Sequence, residues 1–167
     1  MTENIPEVSI RRISIDDLDV IQALYESQNE IDSDPLSALR VNNIRHAIEM
    51  KRIRQQWIIE QRYLAFVATI PNNGAEKCIG YIAALIESQA SLFKVESYAN
   101  IGELWILPDY RGHGIGKCLA EELLENIRNL GIEWVSVHLN TDNDIVENFL
   151  KKVGFKTCAI EMRRQLD

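Results

Sequence analysis

Apolar and polar residues alternate from Val8 to Ile13, the pattern of a half-buried strand. Ser14 with Asp17 three positions on resembles a capping box, and Leu18, Ile21, Leu24 and Tyr25 then recur at helical spacing. Asp34 before Pro35 predicts a second helix start, because proline's missing N–H costs nothing in a first turn. Leu36, Ile44, Ile48, Ile53 and Trp57 carry a helical face to about Ile58. Tyr63 to Thr69 and Cys78 to Ile86 read as strands flanking the turn Pro71-Asn72-Asn73-Gly74, hence as a hairpin.

A further strand is expected from Ile101 to Leu107, stopped by Pro108. After a glycine-rich stretch, Leu119, Leu123, Leu124, Ile127 and Leu130 mark an amphipathic helix that Gly131 ends. Trp134 to Leu139 predicts a strand, Asp144 to Val153 a short helix closed by Gly154, and Phe155 to Met162 a last strand. No linker divides the 167 residues, so the expectation is one mixed α+β domain over 1–167.

Charge refines this picture. The net charge of −7 comes from 25 acidic and 18 basic side chains, which disfavours nucleic acid or an anionic membrane surface as a partner. The imbalance is local. Residues 1–39 hold nine acids and two bases, and the rest of the chain holds sixteen of each. The first seven residues are polar and acidic, without the apolar core of a secretory leader, and no run approaches the ~20 apolar residues of a membrane span. Cys78, Cys118 and Cys158 are odd in number and form no C-x-x-C pair, so neither a disulfide framework nor a metal cluster is expected. A reducing, cytoplasmic setting follows as the default.

The chemistry concentrates in Leu104 to Lys117: a strand, a short turn, Gly112, Gly114 and Gly116, then a helix. Glycines let the backbone approach a ligand closely. Successive amides at a helix N-terminus attract anions, with the helix dipole assisting. Arg111 and Lys117 add positive charge. This combination predicts a phosphate or pyrophosphate clamp. It is not a Walker A loop, which would need glycine at the position of Arg111 and Ser or Thr in place of Cys118. Nor is it the dinucleotide fingerprint, because the spacing is G-x-G-x-G rather than G-x-G-x-x-G.

Arg111-Gly112-His113-Gly114-Ile115-Gly116 resembles the R/Q-x-x-G-x-G/A motif of the GNAT superfamily of N-acetyltransferases. Ile106 to Tyr110 resembles that family's lead-in, and Asn143 to Phe155 its N-x-x-A…F-Y-E-K-x-G-F segment, so the likeness is specific over about 101–155. It implies a mostly antiparallel twisted sheet of six to seven strands with about four helices, the fourth and fifth strands splayed apart. It also implies acetyl-CoA as co-substrate and no metal. The amides of Arg111, Gly112, His113, Gly114, Ile115, Gly116 and Lys117 would hold the CoA pyrophosphate. The backbone of Ile106 and Leu107 would pair with pantetheine, and Asn143 would lie near the same arm.

Acetyl transfer to an amine needs a base, donors for the thioester oxygen and a fate for the thiolate. Glu103 is the expected base, set on the strand that flanks the thioester with Ile101, Trp105 and Leu107 on its face. Apolar neighbours would raise its pKa. The plainer alternative is a solvent-facing carboxylate or a partner for a helix residue, and Glu96 is the reserve. Family members often carry a tyrosine acid where this chain has Leu150. Tyr98, Ser136 and His138 are the available substitutes.

Seven acids and no base lie between Asp16 and Asp34, and residues 40–62 hold six bases and two acids. The first two helices, over about 14–60, form the acceptor wall in this family. Glu30, Asp32 and Asp34 in their connection would therefore draw a cationic amine, polyamine-like or aminoglycoside-like. The alternatives are a protein lysine or N-terminus as acceptor, or a low-turnover acyl-CoA-binding protein. A second copy of the chain could complete the sheet edge as a homodimer.

Overall fold

The computed structural model describes residues 7–29, 43–88, 97–139 and 144–159. They fall into two compact units, one within Met1–Val137 and one within His138–Asp167. In the first, β1 (Ser9–Arg12) leads through a 3-10 turn (Ile15–Asp17) into α1 (Leu18–Asn29). Then come α2 (Asn43–Ile59), β2 (Tyr63–Asn72), β3 (Ala75–Ser88), β4 (Ser97–Ile106), α3 (Ile115–Asn129) and β5 (Val135–Val137). The second unit carries α4 (Asp144–Val153).

The sheet order is β1-β2-β3-β4-β5. The first four strands pair antiparallel, and β5 joins β4 in parallel. This is the expected mixed α+β class, with five strands among the described residues rather than six or seven. The hairpin runs further than its sequence suggests, since Pro71 and Asn72 still pair with Glu76 and Ala75. The turn shrinks to Asn73 and Gly74, with φ of 49° and 82°. Two successive positive φ values match the right-handed twist of a two-residue hairpin, and Asn-Gly supplies them at least cost.

The strand expected at Phe155 to Met162 is not formed over its described part, Phe155 to Ala159. Instead the Phe155 amide donates back to the Leu150 carbonyl at 3.0 Å, and the Gly154 amide to Lys151 at 3.1 Å. This is a Schellman closure with Gly154 at φ 104°. The chain leaves α4 with those groups committed to ending the helix rather than to a ladder.

The two sheet faces differ. On one, Tyr63, Ala65, Val67, Tyr81 and Ala83 pack with Ile13, Leu18, Ile21, Leu24 and Trp57. Strand alternation turns Leu64, Phe66, Ala68, Ile82 and Ala84 to the other. There α3 lies on β2, β3 and β4, burying Ile115, Leu119, Leu123 and Ile127 at every fourth position. Each such side chain contributes roughly 1.5–3 kcal/mol.

The first core is pinned by a buried carboxylate. Asp17 accepts from Arg11 Nη1 at 2.8 Å and Nη2 at 2.9 Å, from the Ser14 amide at 2.7 Å and from Ser14 Oγ at 2.8 Å. Arg11 Nε reaches Glu76 Oε2 of β3 at 2.8 Å. The capping pattern of the sequence is thus present, with Arg11 as an unforeseen third member. Burial works to raise the Asp17 pKa, but the bonds from Arg11 and Ser14 outweigh it and hold the carboxyl below its usual range. A lowered folded-state pKa gives stability that is present above the unfolded value, near ~4, and is lost as pH falls through the folded one. Asp17→Asn should therefore cost about 2 kcal/mol at pH 7. In thermal melts its deficit against wild type should shrink as the pH is lowered below about 4.

Candidate active site

The site begins where β5 stops. Parallel pairing covers only Ala99 with Val135, Asn100 with Ser136, and Ile101 with Val137. From Gly102 to Ile106, β4 keeps β3 on one side and has no strand on the other among the described residues. The Leu107 amide donates to the Ile79 carbonyl at 2.9 Å, so position 107 faces β3. Alternation then turns the backbone groups of Leu104 and Ile106 to the open side. Of the two expected positions, Ile106 faces that side, with its carbonyl accepting from Arg111 Nε at 2.9 Å. Leu107 faces β3, with its amide on the Ile79 carbonyl and its carbonyl accepting from the Tyr110 amide, both at 2.9 Å.

A bulge aims the open half of β4. Ala84 pairs with Ile101 and Ala83 with Glu103, leaving Gly102 as the extra residue. Adjacent β3 residues point to opposite faces, so Ile101 and Glu103 do too. Glu103 therefore shares its face with Trp105, Tyr81 and Ala83, and not with Ile101 as plain alternation predicts. The signal that could have revealed this was a glycine inside a strand.

Beyond β4, a 3-10 turn (Pro108–Tyr110) leads to the glycine loop. Gly112 and Gly114 take φ of 80° and 83°, a left-handed conformation that side chains resist. Gly114 caps α3, and its carbonyl receives the amides of Lys117 and Cys118 at 3.0 and 3.1 Å. The amides of Gly112, His113, Gly114, Ile115 and Gly116 find no acceptor among the described residues. Five donors in succession at the positive end of a 15-residue helix are groups suited to an anion. The cations beside it are already engaged. The Arg111 guanidinium lies 4.4 Å from the Trp105 ring centroid, and its Nε donates to the Ile106 carbonyl at 2.9 Å. Lys117 pairs with Glu121 at 3.5 Å.

Glu103 pairs with a helix residue, the plainer of its two expected settings, on a face it shares with Trp105 and Ala83. Its Oε2 accepts from Tyr81 Oη at 2.7 Å and from Arg54 Nη2 at 3.1 Å. Arg54, on α2, is 1% exposed. It bonds Gln22 through Nη1 and lies 4.3 Å from the Tyr25 ring centroid. Burial first, and then the Glu103 carboxylate, push the Tyr81 hydroxyl far above its ordinary pKa. Tyr81 is thus a fixed donor. Arg54 was missed from sequence because a basic residue beside Ile53 reads as solvent-facing, although it lies one turn before buried Trp57.

Among the other expected residues, Tyr98 Oη donates to Glu87 and Ser136 Oγ approaches Asn100 Oδ1 at 3.5 Å, while His138 is exposed beyond β5. Leu150 is buried. Glu30, Asp32, Asp34, Glu96 and Asn143 lie outside the described residues. The acidic excess before them is partly neutralised, since Asp17 binds Arg11 and Asp19 binds Lys51 at 3.2 Å. No metal-binding cluster and no membrane-crossing helix occurs among the described residues.

The family model for the acetyltransferase (GNAT) family matches residues 21–155. The chain belongs to the GNAT family. An uncharacterized N-acetyltransferase of Methanocaldococcus jannaschii is 30% identical over 80 residues, 48% of this chain and 35% of that protein. The match thus spans about a third of that relative's length. Among solved GNAT-like folds, a predicted acetyltransferase from Clostridium acetobutylicum with acetyl-CoA superposes with a TM-score of 0.73 at 16% identity, covering 95% of this chain and 96% of that one. An aminoglycoside acetyltransferase from an uncultured soil metagenomic sample, in complex with sisomicin, gives 0.67 at 19% identity over 96% and 97%.

The geometry of this GNAT site depends on two strand glycines in opposite ways. A Cβ at Gly80 would stand 2.8 Å from the Trp105 carbonyl and 3.4 Å from Ile106 Cα, whereas one at Gly102 meets nothing within 4 Å. Gly80→Ala should destabilise by about 1–3 kcal/mol, because backbone must move. It should also shift tryptophan emission by displacing Trp105. Gly102→Ala should remain within about 0.5 kcal/mol of wild type by thermal or urea unfolding.

Proposed function

We propose that this chain transfers an acetyl group from acetyl-CoA to a primary amine of a small cationic metabolite, by direct attack in a ternary complex. The observation that carries the reading is the half-paired β4 beside the five free amides of Gly112 to Gly116. The loop amides receive the CoA pyrophosphate, and the backbone of Leu104 and Ile106 accepts the pantetheine arm as an added strand. Arg111 gives up the Ile106 carbonyl when the arm binds. Glu103 takes the proton of the ammonium, whose ordinary pKa near ~10.4 otherwise leaves it without a free lone pair. The amine then attacks the thioester carbonyl, the C–S bonding pair leaves with sulfur, and the nitrogen loses its second proton to water. With Leu150 at the position of the usual acid, the thiolate departs unassisted and is protonated by water, which a thiol pKa near ~8.5 permits. Glu30, Asp32 and Asp34 steer the cationic acceptor. The likeness to a fold solved with sisomicin, an aminoglycoside, supports an amine of that class. Three unpaired cysteines support a reducing cytoplasmic setting.

The test is thiol release from acetyl-CoA against a panel of polyamines, aminoglycosides and lysine peptides. Turnover on a polycationic small amine is expected. Tight acetyl-CoA binding without turnover on any amine or peptide would identify a binding protein instead, a reading that Leu150 favours. Glu103→Gln should lower kcat/KM most at low pH, where the amine is most protonated. An unchanged pH–rate profile removes Glu103 from the mechanism. Neutralising Glu30, Asp32 and Asp34 together should raise the acceptor KM and flatten its salt dependence while leaving the acetyl-CoA KM unchanged.

A further inference from the structure

The most heavily buried large polar side chain described in this molecule is Arg54, which sits against the proposed base. An arginine withdrawn from water needs a matching charge and partners for its N–H groups; Nη1 and Nη2 of Arg54 have them, while its buried Nε has none among the described residues. Its matching carboxylate is that of Glu103, 3.1 Å away on the neighbouring sheet. The groups that face this pair come from three elements. Gln22 and Tyr25 belong to α1, Arg54 to α2, and Tyr81 to β3. The titratable or charged groups among them are Arg54 and Tyr81, which touch Glu103, and Tyr25, which stacks on Arg54.

The contacts on Glu103 are asymmetric. Oε2 takes both short bonds, from Tyr81 and from Arg54. Oε1 has only a long contact of 3.4 Å to Arg54 Nη2. The Glu103 side chain keeps 15% exposure. A carboxylate oxygen has two lone-pair directions. Those of Oε2 are occupied, and those of Oε1 are not filled by any short bond.

We propose that Arg54 and Tyr81 are positioning residues for the transfer: they clamp Oε2 of Glu103 and leave Oε1 as the oxygen that receives the amine proton. The inference rests on Glu103 being the base. In the step, an N–H bond of the ammonium breaks and an O–H bond forms at Oε1. The nitrogen lone pair so released bonds the acetyl carbon and the C–S pair departs on sulfur. The nitrogen then gives up a second proton to water, water protonates the thiolate, and Glu103 later yields its own proton to water. Because Arg54 is held by Gln22 and Tyr25, the clamp also ties the base to α1 and α2, the elements that form the acceptor wall.

The test compares wild type, Arg54→Lys and Tyr81→Phe in the full chain. The readouts are kcat/KM across pH for the best amine of the panel, acetyl-CoA affinity by calorimetry, and thermal melts. Both variants should bind acetyl-CoA as wild type does. Both should lose about tenfold or more in kcat, the cost of a misplaced base. The acid limb of kcat/KM should change along with kcat, since each variant alters a donor bonded to Oε2. A role confined to stability would move the melting temperature and leave kcat and the acid limb in place, and that result overturns the proposal. If Arg54→Lys does not fold, Tyr81→Phe decides alone, because it removes one hydroxyl and keeps both charges. If Glu103→Gln retains the wild-type pH profile, the base reading itself has failed. A wild-type profile in Tyr81→Phe, with Glu103→Gln altered, fails the clamp only.

Discussion

A strand inside a sheet must place its backbone N–H and C=O groups on both sides, and β4 does so fully on one side only. Its pairing with β5 lasts for three residues and ends at Ile101. Everything placed at the site depends on that early stop. The next residue, Gly102, is the bulge that changes which face the strand presents. Leu104 and Ile106 keep backbone groups on the open side. The chain then leaves through Pro108 into a loop whose amides are likewise unspent. Unmatched backbone is costly inside a protein, so an opening of this kind persists where water or a ligand supplies the missing partners.

The second constraint is the placement of charge within a sheet face that is otherwise apolar. Two carboxylates are drawn into it, and each is met by an arginine: Asp17 by Arg11, and Glu103 by Arg54. The pairs differ in what they leave open. Asp17 has both oxygens bonded by Arg11 and one of them also by Ser14, so it reads as a structural anchor for the start of α1. Glu103 has one oxygen doubly bonded and the other with a single long contact. Identical chemistry thus produces a closed pair and an open one, and the open one lies beside the free edge of β4.

Much of this was legible in the residues themselves. The alternation of β1, the Asn-Gly hairpin, the helical period of α3 and its glycine stop all appear where the pattern places them. The glycine loop was legible because its requirement is local: positive φ at Gly112 and Gly114 and amides at a helix start. What could not be read was set by distant partners. A helix partner for Glu103 was one of the two expectations and is what α2 supplies, but its identity, Arg54 at 49 positions away, was out of reach. A periodicity reading also assigns a basic residue to solvent by default. The inversion of face at Gly102 is invisible to strict alternation, which carries no count of extra residues. Over its described part, Phe155 to Ala159, the last strand is absent for a related reason, since extended-looking sequence becomes a strand only when a neighbour takes its backbone groups, and Phe155 commits its amide to α4.

These placements alter the meaning of the chain's charge. A net −7 opposes the approach of a phosphorylated ligand. The two cations flanking the loop do little to offset it, since Arg111 is folded over Trp105 and Lys117 is paired with Glu121. What remains is a row of amide dipoles, at the end of a helix whose own dipole adds to them. Dipolar attraction is short-ranged, so it needs no favourable field from the rest of the molecule. The acidic excess of residues 1–39 acts instead through a field that reaches further, part of which the pairs Asp17–Arg11 and Asp19–Lys51 offset. A short-ranged array of dipoles and a longer-ranged excess of charge can therefore coexist in one chain without cancelling.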